Sequence, residues 1–110
     1  MGKFVKGDVV VVPFPFSDLS HSKRRPALVI SPLNGDDVIL CQITTPAKSD
    51  GYSISLTPTD FQSGKLDHDS NIRPNRLFTA DSRIVAYCAG KLTSEKTDEV
   101  INKLVEIIQS

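Results

Sequence analysis

A chain of 110 residues, 39% hydrophobic and 24% charged with a net charge of zero, has the make-up of an ordinary soluble globular protein built on one core. The opening "MGKFVKGDVV" lacks the long apolar region of a signal peptide, and no later run is long enough to span a bilayer, so the cytosol is the expected compartment. Cys41 and Cys88 both lie in apolar runs and read as small buried hydrophobes rather than a disulfide. With no CxxC, no HExxH and no histidine pair at ligand spacing, neither a metal site nor a cofactor is expected.

The neutral total hides an uneven distribution. Residues 1–33 carry five Lys/Arg against two Asp, and residues 71–93 carry four against one; residues 34–70 and 94–110 are acidic. If folding joins the two basic blocks, they form one cationic groove suited to nucleic acid; otherwise they are separate solvated patches.

"GDVVVVPF" begins at a Gly-Asp turn, and its four consecutive valines predict a strand covered on both faces. Pro13 and Pro15 are expected to stop it, leaving a polar loop over residues 13 to 25. "PALVIS" predicts a second strand, "NGDD" a hairpin turn and "VILCQITT" a third strand ended by Pro46. "YSISLT" alternates as a half-buried strand, and "PTDFQSG" reads as a short helical turn closed by Gly64. "SNIRPNRLFTADSRIVAYCAGKLT" holds two or three further strands, with Gly90 marking a bulge or bend. The period then changes: Val100, Ile101, Leu104, Val105, Ile107 and Ile108 form a helical stripe, with Ser94 as the expected N-cap. That stripe can pack on the sheet or support a dimer. The expected fold is therefore mainly β with a C-terminal helix, a small curled antiparallel sheet or SH3-like barrel, as one domain over 1–110.

Chemistry concentrates in a few strand-end elements. Arg25 precedes Pro26, which holds it extended at the strand root, so its guanidinium is a preorganised fork for a phosphate. The alternative is a surface arginine paired with one of the many aspartates. Lys23 and Arg24 suit nonspecific phosphate contacts or plain solvation. Thr44 and Thr45 end a strand at "ITTP", where their hydroxyls can donate at a rim. Tyr52 reads equally as a base-stacking platform or as core. In "IRPNR", Arg73 also precedes a proline, Arg76 follows closely, and Asn75 can read a base edge but cannot take a proton. His21 is a loop histidine close to the arginine pair and could titrate near neutrality, while His68 between two aspartates looks like a solvated turn.

Taken in order, "KGDVVVVPF", "KRRPALVIS", "CQITTP", "DGYSISL", "IRPNRLFTAD", "GKLT" and the final helix resemble the MazF/PemK family of bacterial toxins over nearly the whole chain. The resemblance implies a PemK-type barrel that forms a homodimer. It implies a metal-independent endoribonuclease cutting single-stranded RNA, mainly mRNA, and a cognate antitoxin occupying the RNA groove. It also implies a catalytic role for Arg25 and Thr44, and for Arg73, which the Kid/PemK-like branch uses as an acid. Thr45, Asp50 and Tyr52 fall where relatives line the groove; Phe16, Ser20, Lys23, Arg24, Asn75 and Arg76 complete the expected RNA contacts. That branch has an aspartate base where this chain has Asn75, which favours an Arg/Thr mechanism and leaves His21 as the candidate base. The competing expectation, from Asn75 and the zero net charge, is an inactive SH3-like barrel that binds RNA or a protein partner.

Overall fold

The computed structural model describes residues 4–14, 23–45 and 51–110. Seven strands form one antiparallel sheet: β1 Asp8–Phe14, β2 Lys23–Pro32, β3 Asp37–Thr44, β4 Ile54–Leu56, β5 Phe61–Gly64, β6 Ser70–Asp81 and β7 Tyr87–Leu92, followed by helix α1, Ser94–Gln109. Across the sheet the order is β4-β6-β3-β2-β1-β7-β5. β4 and β5 lie at opposite edges, yet Ile54 and Leu56 of β4 share one cluster with Val9, Leu28, Leu92 and the half-buried Phe61 of β5. The sheet therefore curls into a half-barrel around that cluster, and α1 packs against it with Val100 and Leu104.

The valine run behaves as its composition requires. Val9 faces the inner cluster, while Val10 and Val12 join Ala27, Val29, Val38, Leu40 and Ala80 in a second cluster on the other face. Both faces are covered, which is where four β-branched residues in a row are most at home.

Pro13 does not end β1. The strand runs to Phe14, with Pro13 opposite Arg24 and Phe14 opposite Lys23, so Lys23, Arg24 and Arg25 belong to β2 rather than to a loop. The physical reason is directional. The Val11 carbonyl accepts from the Ala86 amide at 2.8 Å, on the β7 side. Pro13, two residues on, points the same way, but β7 pairing stops at Val11–Tyr87, so its missing N–H breaks no ladder bond.

Three further local expectations change. The helical turn at Pro58–Asp60 exists, but Phe61–Gly64 continues as β5 instead of closing a helix. Gly64, at φ +73°, and Gly90 pass so closely that a Cβ on Gly90 would lie 2.4 Å from the Ser63 carbonyl oxygen. Gly90 also borders the expected bulge, since Val9 pairs with Gly90 but Val10 with Cys88. The N-cap is Thr93, one residue before Ser94; its Oγ1 accepts from the Lys96 amide at 3.2 Å. Along α1 the apolar stripe is only part-covered: Val105 is 43% and Ile108 68% exposed. Finally, Cys41 is buried but Cys88 is exposed, and both are free thiols.

Candidate functional site

Strand alternation sorts the basic residues onto two faces. Ala27 and Val29 lie in the second cluster, so Arg25, two residues before Ala27, falls on that face, whereas Arg24 and Pro26 fall on the other. On β3, Leu40 belongs to the same second cluster, which puts Gln42 and Thr44 on the Arg25 face. Ala27 pairs with Gln42, and Gln42 pairs with Arg73 of β6. Continuing that register by two residues sets Arg25 across from Thr44. Arg25, Thr44 and Arg73 thus share one end of one face, on three neighbouring strands spanning roughly 10 Å.

The placement of Arg73 depends on a break in β6. Cys41 pairs with Leu77 while its neighbour Gln42 pairs with Arg73, so the β3–β6 register skips Pro74, Asn75 and Arg76. Pro74 is buried and offers no N–H; Asn75 and Arg76, still within β6, are exposed. The two basic blocks of the sequence are therefore joined through β3, the first by β2 and the second by β6.

The polar atoms at this end are arranged unusually for a finished interior. Thr44 Oγ1 is buried and has no hydrogen-bond partner among the described residues, and the Arg73 Nε is buried as well. Lys23, Arg24 and Arg25 are exposed, and among the described residues their side chains form no ion pair. Elsewhere cations do pair: Arg83 with Asp81 at 2.6 Å, Lys96 with Glu99 at 3.0 Å and Asp60 at 3.6 Å, Lys103 with Glu106 at 3.3 Å. No aspartate among the described residues holds Arg25. A buried hydroxyl left without a partner costs about 1–3 kcal/mol, which makes Thr44 Oγ1 a candidate to meet a ligand oxygen.

Tyr52 is 45% exposed, which removes the core reading for it. Thr45 is exposed and lines a different cleft, of about 270 Å³, with Arg24, Val11, Pro26, Leu66, Asp67, His68, Ser70 and Tyr87. His68 is exposed in a bend, as expected of a solvated turn, and also lines this cleft. Ser70, buried, donates from its hydroxyl to the His68 carbonyl at 2.9 Å and fixes that corner. Sequence reasoning passed over Gln42 and Tyr87; the first is legible only from strand register, the second only once β7 is seen beside β1. Phe16, Ser20, His21 and Asp50 lie outside the described residues. Among the described residues no three or more His, Cys, Asp or Glu side chains converge as metal ligands would.

Among the described residues three titratable groups depart clearly from ordinary values. Hydrogen bonds from the Arg83 side chain and backbone hold Asp81 down at about 2, and the same contact raises Arg83. Burial pushes the Cys41 thiol up to about 12.

A curled antiparallel half-barrel with one C-terminal helix, and with arginines and a threonine gathered at one strand end, defines a small mainly-β protein with a cationic strand end. The particular family follows from comparison: residues 5–108 match the model of the PemK-like, MazF-like toxins of type II toxin–antitoxin systems, and the chain belongs to that family. Solved structures share the fold. They include a MazE–MazF complex from Deinococcus radiodurans, with TM-score 0.78 and 21% identity over 96% of each chain. A mycobacterial endoribonuclease in complex with its cognate antitoxin aligns with TM-score 0.74 and 15% identity, over 96% of this chain and 95% of that one. The toxin MazF-mt6 of Mycobacterium tuberculosis gives 0.71 and 13%, over 93% and 96%. Comparison with curated proteins finds no match.

Proposed function

We propose that this toxin is a metal-independent endoribonuclease acting on single-stranded RNA, with Arg25, Thr44 and Arg73 at the scissile phosphate. The observation that carries the reading is that Arg25, which has no ion pair among the described residues, shares a sheet face with Thr44, whose buried Oγ1 has no hydrogen-bond partner among them. RNA brings its own nucleophile. The 2′-oxygen bonds to the adjacent phosphorus as its proton is taken, and the 5′-oxygen departs with a proton, leaving a cyclic phosphate and a 5′-OH. What the protein must add is stabilisation of the charge that builds on the phosphoryl oxygens, which two guanidiniums and a hydroxyl supply. Arginine, with a pKa above about 12, is a clamp and a possible acid but a poor base. The proposal assigns the base to His21. DNA, without the 2′-OH, binds without being cut.

The chain is proposed to act in the cytoplasm as a single domain that forms a homodimer and is held inactive by a cognate antitoxin covering the same face. The structural relatives solved with an antitoxin support the antitoxin partner. The test is cleavage of mixed-sequence single-stranded RNA in the presence of a chelator, with product ends identified. Cleavage absent beyond an Arg25→Ala control would overturn the proposal and leave the rival reading, a barrel that binds RNA or a protein without cutting. Asn75, standing where some relatives carry a carboxylate, is the feature that favours that rival.

A further inference from the structure

The cleft behind the Arg25 face has no role in the chemistry above, yet it has the lining of a nucleotide site. Arg24 and Arg25 are consecutive and point to opposite faces of β2; Thr44 and Thr45 do the same at the end of β3. One residue of each pair serves the proposed phosphate site, and the other, Arg24 or Thr45, lines the cleft. Its floor is apolar, from Val11, Pro26 and Leu66, and its wall holds Tyr87, 54% exposed on β7. Val11 and Tyr87 are direct partners across β1 and β7, and Val11 is opposite Pro26 on β2, so ring and floor are fixed by three paired strands. The mouth carries Arg24, Asp67 and His68.

We infer that this cleft is a subsite for a single-stranded RNA nucleotide flanking the scissile phosphate, with the base against Tyr87 and its phosphate at Arg24; the inference rests on the ribonuclease reading. A large exposed aromatic ring over an apolar floor is what a base needs to stack on, and an exposed arginine at the rim, with no ion pair among the described residues, is what its phosphate needs. Asp67 can accept only, so it favours a base that presents an exocyclic amino group. Arg24 is the chain neighbour of Arg25, so a nucleotide held at Arg24 lies one residue along β2 from the proposed phosphate site.

The experiment measures binding of a mixed-sequence single-stranded DNA oligonucleotide by fluorescence anisotropy, together with cleavage of long single-stranded RNA. Tyr87→Ala is expected to weaken oligonucleotide binding about tenfold, with the loss in cleavage falling on KM rather than kcat and with Tyr87→Phe restoring both. Arg24→Gln should flatten the dependence of log Kd on log salt by about 0.7. Wild-type cleavage with Tyr87→Ala binding unchanged overturns the subsite and spares the ribonuclease reading; that outcome is also the one expected if the cleft receives an antitoxin peptide instead. Wild-type binding without cleavage, weakened by Tyr87→Ala, keeps the cleft as a nucleotide site and discards the ribonuclease.

Discussion

Gln42 stands opposite Arg73, although its neighbour Cys41 stands opposite Leu77. Three residues of β6 are thereby pushed out of the ladder, and Arg73 is delivered to the same face and the same end of the sheet as Arg25 and Thr44. A regular ladder carried on from Cys41–Leu77 would have set Arg76 opposite Gln42 instead. The break with its buried proline is thus part of the site.

Thr44 yields the sharpest prediction. Thr44→Val replaces a buried hydroxyl, without a partner among the described residues, by a methyl of the same shape, so the thermal midpoint should stay level or rise. RNA cleavage should fall about 100-fold in kcat, as for loss of one transition-state donor, and Thr44→Ser should recover most of it. Parallel melting and cleavage assays check both halves, and a large loss of stability would mean that the hydroxyl is satisfied in the native protein.

Arg25→Ala and Arg73→Ala should each lower kcat by about 10²–10³ with the fold intact for Arg25, which is exposed and unpaired among the described residues. Lysine at position 25 should rescue poorly, because a point charge does not replace a planar fork. Single-turnover cleavage separates these effects from binding.

The helix start separates two expectations. Thr93→Ala should cost about 1 kcal/mol of stability, since Thr93 Oγ1 holds the Lys96 amide, while Ser94→Ala should be close to neutral. Denaturant titration of both variants decides it.

Thiol reactivity should split the two cysteines. An alkylating agent at neutral pH should modify Cys88 in the native protein and reach Cys41 only in denaturant, because Cys41 is buried with its thiol pushed up to about 12. Mass spectrometry of peptides from native and unfolded protein reads the difference.

Acid should expose the Asp81–Arg83 contact. Asp81 sits at about 2 in the folded protein, below the ordinary carboxylate value, so its contribution to stability is present above about pH 4 and is lost as pH falls toward 2. Melting curves of wild type and Asp81→Asn should therefore differ at pH 6 and converge near pH 2.

Much of this architecture was legible along the chain, and the exceptions share a cause. The valine run, the β2–β3 hairpin at Gly35, the bulge beside Gly90 and the helix all follow from local pattern. Pro13 misled because a proline's effect depends on which neighbour its nitrogen faces, and that neighbour is set by β7, more than seventy residues away. Lys23 to Arg25 read as loop because strand pairing with Pro13 and Phe14 is tertiary. Arg25, Thr44 and Arg73 were each legible as candidates from their strand-end positions and family resemblance. Their sharing of one face was not, since it depends on the three-residue break in β6. Cys88 and Tyr87 were missed or misjudged for a related reason: β7 runs beside only part of β1 and the short β5, which leaves much of it uncovered.

The edges of the described sheet are short, three residues in β4 and four in β5, and where β1 outruns β7, Pro13 presents a ring instead of an amide. A passing strand from another chain finds few free donors in register to extend the ladder. Crowding many copies together should therefore not seed edge-to-edge fibres from this sheet, and Pro13→Val, by restoring a donor on that uncovered margin, is the substitution that would invite them.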